Sequence, residues 1–189
     1  MVTPGSAVMA DDDGQTLAMT SEAADSQDAV DVIMAQWQRE LPGLDASGLA
    51  VFGRLHRSYL LYAARLTEIF DRYGINTASF DVLAALRRSG PPYRATAGRL
   101  ARTGLITTGG VTQRLDRLES AGLITRERDT GDRRVVYAQL TADGLEVSGR
   151  AATAVFASQQ QMLAGLTGTE RAELAVLLGA VERSLRAQR

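Results

Sequence analysis

Apolar residues recur at helical spacing through the first half of the chain. Val30, Ile33, Met34, Trp37 and Leu41 fall on one face of a helix that begins near Asp28 and ends at Pro42. A longer helix spans about residues 47–73, with Leu49, Phe52, Leu55, Tyr59, Leu66, Ile69 and Phe70 as its buried stripe, and Gly74 breaks it. Thr77 is the expected cap of a third helix holding Phe80, Val82, Leu83 and Leu86, after which Gly90, Pro91 and Pro92 force a turn. Thr96 caps a short helix. Thr107 or Thr108 caps the next, in which Val111, Leu115 and Leu118 at i, i+4 and i+7 make one face apolar while Thr112, Gln113 and Arg117 occupy the other. Gly122 stops that helix.

Beyond Gly122 the period shortens from helical to alternating. Residues 123–128 and 134–140 read as two strands, and Asp129, Thr130, Gly131 and Asp132 between them supply turn chemistry. A helix followed directly by a hairpin whose turn carries Asp132, Arg133 and Arg134 is the pattern of a winged helix-turn-helix, a fold whose second helix enters the major groove. Thr141 then caps a long helix to about Ala164, and Thr167 with Glu170 three residues on forms a capping box for a last helix to about Gln188. Leu145, Val155, Phe156, Leu163, Leu174, Leu178 and Leu185 in these two helices offer more apolar surface than one small domain needs, which predicts dimerisation. The expected fold class is mainly α with a small β-hairpin wing: a winged helix-turn-helix with a helical dimerisation lobe.

Composition narrows the chemistry. The 189 residues include no cysteine and a single histidine, His56, which excludes disulfides and thiolate metal sites and leaves no multi-histidine centre. No Ser/His/Asp order, paired-histidine motif or phosphate-binding glycine loop is present, so the sequence predicts neither an enzyme nor a cofactor. The N-terminus lacks a basic region followed by an apolar run, and no stretch is long enough to cross a bilayer, so a cytoplasmic location is expected.

A net charge of −1 conceals a strong asymmetry. From Arg87 to Arg134 there are eleven arginines against five acids, a local balance of +6, whereas residues 1–31 carry seven acids and no base. Every cation is arginine, which favours planar bidentate contacts to phosphate and guanine. The expected organisation is an acidic disordered tail over 1–27 and a folded domain over 28–188. The latter comprises N-terminal helices (28–73), the winged helix-turn-helix (74–140) and C-terminal dimerisation helices (141–188).

The run Val111-Thr-Gln-Arg-Leu-Asp-Arg-Leu-Glu119, then Gly122-Leu-Ile-Thr-Arg126, Asp132-Arg-Arg134 and Leu140-Thr141, closely resembles the MarR family of bacterial transcription regulators. The resemblance implies a homodimer presenting two recognition helices to a pseudo-palindromic site on double-stranded DNA. Thr108, Thr112, Gln113 and Arg117 at the recognition helix, and Asp132, Arg133 and Arg134 at the wing, are the candidate DNA-contact residues. Arg134 suits a narrow minor groove, and Gln113 and Arg117 suit base edges in the major groove.

The stretches Trp37-Gln-Arg-Glu-Leu-Pro-Gly-Leu-Asp45 and Phe80-Asp-Val-Leu-Ala-Ala-Leu-Arg-Arg-Ser-Gly-Pro-Pro-Tyr93 are similar to the PecS-type, urate-responsive branch of that family. Trp37, Asp81, Arg114 and Arg126 match its ligand-site set, which implies a repressor released by a small anionic aromatic ligand such as urate. An indole can stack on a flat heterocycle, and two guanidiniums can hold an anionic, carbonyl-rich one. A tricarboxylate or phenolic effector is the alternative within the family, and a winged-helix module for protein partners is the alternative outside it. The sequence departs from the family pattern at Gly110 and Gln113, and at Ala95, Ala97 and Gly98 before the recognition helix, so an operator sequence does not carry over.

Overall fold

The computed structural model describes residues 27–102, 110–132 and 135–188. Along these residues run α1 (Ala29–Glu40), α2 (Gly48–Asp71), α3 (Thr77–Arg88), β1 (Arg94–Thr96), α4 (Ala97–Ala101), α5 (Val111–Ser120), β2 (Ile124–Arg128), β3 (Val136–Leu140), α6 (Ala142–Met162) and α7 (Gly168–Ala187). The architecture is mainly helical with a three-stranded antiparallel sheet, as the hydrophobic pattern predicted. The chain divides into two compact units, 1–62 and 63–189, and α2 crosses the division. The expected acidic tail lies, but for Gln27, outside the described residues.

In the first unit, α1 begins with a capping box. The Asp28 carboxylate accepts from the Val30 and Asp31 N–H groups at 2.7 and 3.1 Å, and Asp31 accepts from the Asp28 N–H at 3.1 Å. Arg54 of α2 spans both acids, with Nε and Nη2 each 2.8 Å from a carboxylate oxygen. Gly53 makes the approach possible, because a Cβ there would lie 2.9 Å from Val30 Cγ1. Val30 is accordingly buried. The rest of the expected stripe is not: Ile33, Trp37, Leu41, Phe52, Leu55 and Tyr59 are exposed in the single chain. Helical periodicity identifies an apolar face and says nothing of what covers it.

In the second unit, Leu66, Ile69 and Phe70 at the end of α2 join Val82, Leu83 and Leu86 of α3 in a core, and Phe70 stacks on Phe80 with ring centroids 4.7 Å apart. α3 packs on both α5 and α6. Its N-cap is Asn76, which accepts from the Ser79 N–H at 2.9 Å. Thr77, the expected cap, is instead the first helical residue. Asn is at least as good a cap as Thr, so the earlier of two competent residues takes the position.

The sheet has the order β1-β3-β2. β2 pairs with β3 from Ile124↔Leu140 to Arg128↔Val136, the expected hairpin. β1 pairs with β3 from Arg94↔Gln139 to Thr96↔Tyr137 and was not foreseen, because three residues are too few to display alternation. The end of α5 is fixed to the start of α6 at one close contact. Thr141 donates from N to the Leu123 carbonyl at 3.2 Å and from Oγ1 to the Gly122 carbonyl at 2.8 Å, and its Oγ1 accepts from the Gly144 N–H at 3.0 Å. A Cβ at Gly144 would lie 1.9 Å from the Leu123 carbonyl oxygen, so only glycine fits.

Candidate functional site

The second helix of the helix-turn-helix is α5. Val111, Leu115 and Leu118 are buried against the unit's core, and Thr112, Gln113 and Arg117 are exposed, the division read from the sequence. Its N-cap is Gly110 at φ +94°, with no side-chain cap. This corrects the expected threonine cap: glycine adopts a left-handed backbone without the steric penalty a threonine would meet. Thr107 and the DNA-contact candidate Thr108 lie outside the described residues, as do Arg133 and Arg134 at the wing tip. Asp132 is half-buried in the wing turn. Its N–H and that of Gly131 donate to the Asp129 carboxylate at 2.9 and 2.8 Å. Those two bonds, aided by the positive charge of Arg94, hold Asp129 below the usual carboxylate range.

Asp81 stands in the first turns of α3, beside α5. Burial pushes its carboxyl above the ordinary aspartate value, and the positive charges of Arg114 and Arg88 offset that only in part. No hydrogen bond or ion pair reaches Asp81 among the described residues. Arg114 Nη1 is fully buried and has no hydrogen-bond partner among the described residues. A buried guanidinium N–H without an acceptor is costly, so the position suits an incoming anion. Arg114 lines a cleft of about 220 Å³ with Asn76, Ser79, Gly110, Gln113 and Arg117.

Arg126 is occupied elsewhere. From β2 it reaches Asp116, and its Nε donates to Glu119 at 2.9 Å, tying the first wing strand to α5. Asp116 and Arg114 are about 200° apart around a helix that turns 100° per residue, so Arg126 engages the flank of α5 opposite Arg114. The structure thus brings Asp81 and Arg114 into electrostatic reach and leaves Arg126 on carboxylates. The i, i+3 spacing of Asp116 and Glu119 puts both acids on one face of α5 without naming the cation they meet. Trp37 belongs to the first unit, where its side chain is 46% exposed.

A family model described as MarR family matches residues 73–135, from the end of α2 into the wing. Over 153 residues the chain is 37% identical to the HTH-type transcriptional regulator PecS of Dickeya dadantii (strain 3937), covering 81% of this chain and 92% of PecS. The chain belongs to the MarR family. Sco3205, a MarR family transcriptional regulator from Streptomyces coelicolor solved in complex with DNA, is similar at 26% identity and a TM-score of 0.67, over 75% of this chain and 93% of Sco3205. BpsR of Bordetella bronchiseptica, whose DNA binding is regulated by 6-hydroxynicotinic acid, is similar at 26% identity and a TM-score of 0.59, over 70% of this chain and 98% of BpsR.

As a MarR family member the protein is a DNA-binding transcription regulator, and these relatives are regulators, not enzymes. Among the described residues no helix is long and apolar enough to cross a membrane. A wider hollow, about 820 Å³, lies away from α5, against Tyr73, Arg87, Glu146 and Arg150. Its arginines are already engaged: Arg87 donates to the Leu145 carbonyl at 2.6 Å, and Arg150 pairs with Glu146 at 3.4 Å. Arg114, with its unmatched donor, lines the smaller cleft instead.

Proposed function

We propose that this MarR family regulator is a homodimeric repressor, released from a pseudo-palindromic operator by a small anionic aromatic ligand such as urate. The observation that carries the effector is the buried, unpartnered Arg114 Nη1 in a cleft shared with Gln113 and Arg117. An anion accepted there sits on the helix that reads DNA and adds negative charge near Asp81, whose carboxyl is already penalised by burial. Displacement of α5 relieves that repulsion, so the ligand favours a form that DNA does not. Similarity to PecS supports the reading, and BpsR supports a flat anionic heterocycle as an effector class.

The dimer is supported by apolar surface without cover. Trp37 on α1 and Leu41 at its C-cap, Phe156 on α6 and Leu174, Leu177 and Leu178 on α7 are all exposed, and α7 has no buried residue among its described residues. In this reading Thr108, Thr112, Gln113 and Arg117 enter the major groove, and Asp132, Arg133 and Arg134 form the wing contact. Arg126 joins the effector by exchanging Asp116 and Glu119 for the ligand, and Trp37 supplies the stacking indole. The protein acts in the cytoplasm, where its operator is. Fluorescence anisotropy on operator DNA tests the effector site: Asp81→Asn keeps DNA affinity and blunts release by urate. An unchanged urate dose response in that variant removes Asp81 from the site, and release by a tricarboxylate or phenol but not urate selects the second effector class.

A further inference from the structure

A second basic hollow lies outside both the recognition helix and the wing tip. It measures about 380 Å³ and is bordered by Pro92, Arg94, Thr96, Arg99, Arg102 and Tyr137. Arg94 on β1 lies over the Tyr137 ring of β3, its Cζ 4.5 Å from the ring centroid, which holds that guanidinium at the rim. Arg99 comes from α4 and Arg102 is the C-cap of α4. All three arginines are exposed.

Their surroundings contrast with those of the arginines held in ion pairs. Arg54, Arg65, Arg126, Arg150 and Arg186 all have a carboxylate within ion-pair distance. Arg94, Arg99 and Arg102 have none within 4.0 Å among the described residues, although Arg94 acts through space on Asp129 of the wing turn. Three unneutralised guanidiniums around one hollow repel one another, and a shared anion removes that repulsion.

The position selects the anion. α4 is the first helix of the helix-turn-helix and packs on α5, and Tyr137 sits on the strand that returns from the wing. The hollow therefore lies between the supports of the two DNA-reading elements. In this motif the first helix crosses the sugar-phosphate backbone. We propose that Arg94, Arg99 and Arg102 form a cradle for backbone phosphodiesters of the bound duplex, a sequence-independent contact separate from base reading by α5. The inference rests on the protein being a DNA-binding regulator. It gives α4 the task of fixing the protein's register on DNA through bidentate phosphate contacts.

The test is an anisotropy titration of the full-length protein onto its own upstream intergenic DNA and onto scrambled DNA, across a salt series. Arg99→Gln and Arg102→Gln are each expected to make the slope of log K against log salt shallower by about 0.9, which at 0.15 M salt is about a fivefold loss of affinity. The loss is equal on both DNAs, so the specificity ratio is unchanged. Arg186→Gln on α7 serves as the charge control and leaves the slope as it was. Melting curves of the variants match the wild type, because both side chains are exposed.

Slopes unchanged in both variants overturn the cradle, as does a loss confined to the specific site, which makes these residues base readers. Unchanged slopes together with saturable binding of inorganic phosphate to the DNA-free protein, abolished by the double substitution, assign the hollow to a free anion instead. A wild-type protein without salt-sensitive DNA affinity defeats the regulator reading itself. A normal wild-type slope that the substitutions do not change defeats the cradle alone.

Discussion

Arg126 on β2 donates its Nε–H to Glu119 on α5 at 2.9 Å, and the same guanidinium holds Asp116. An effector that uses Arg126 has to displace these two carboxylates. Asp116→Asn combined with Glu119→Gln removes the competition, so the variant binds urate several-fold more tightly by calorimetry. The acids are largely exposed, so their loss lowers stability by no more than about 1 kcal/mol. Unchanged or weaker urate binding would exclude Arg126 from the ligand site and leave it as the strut between wing and helix.

Gly144→Ala is expected to destabilise the fold. The added Cβ would lie 1.9 Å from the Leu123 carbonyl oxygen, and backbone cannot yield as a flexible side chain does. Overpacking of this kind lowers stability by about 1–3 kcal/mol, read as a lower melting temperature. Leu123 follows α5 directly, so operator affinity falls with it. A melting temperature equal to that of the wild type would mean that the junction between α5 and α6 is not held as described.

The sign of the Asp81 effect on stability follows from its raised pKa. An acid whose folded pKa lies above the unfolded value favours the folded state below that unfolded value and loses the contribution as pH rises through the folded one. Once ionised, wild-type Asp81 carries its burial penalty. Asp81→Asn therefore melts higher than the wild type at pH 7, and the difference shrinks as pH falls toward the ordinary aspartate range. Melting curves at pH 7 and pH 4 check this, and a gap that widens at pH 4 contradicts it.

Much of this architecture was legible because local chemistry and tertiary packing agree. Thr96, Thr141 and the Thr167/Glu170 box cap the helices they were expected to cap, the first helix begins at Asp28 as its periodicity predicted, and Val111, Leu115 and Leu118 form the buried face of α5. What escaped depends on distance in sequence or on backbone sign. β1 acquires its identity from pairing with β3 over forty residues away, and Gly110 supplants two threonines by adopting a positive φ. Of the four-residue effector set, the relation of Asp81 to Arg114 follows from α3 packing on α5. The carboxylates on Arg126 come from a strand crossing a helix, which spacing alone does not reveal.

The proposed DNA contacts predict that base reading and phosphate binding are separable. Arg117→Ala or Gln113→Ala lowers affinity for the specific site by about 1–3 kcal/mol and relaxes preference between specific and scrambled DNA. Arg134→Ala weakens binding and flattens the salt slope by about 0.9 if its guanidinium meets backbone charge in the minor groove. Equal losses on both DNAs for Arg117 and Gln113 would move them from base readers to backbone contacts.

The central claim is tested most directly by anisotropy of the wild-type protein on its own upstream intergenic DNA and on scrambled DNA, with and without urate. The account predicts specific, salt-sensitive binding that urate weakens. Specific binding that is indifferent to urate would contradict the proposed effector, and no preference between the two DNAs would contradict the regulator's reading of an upstream operator.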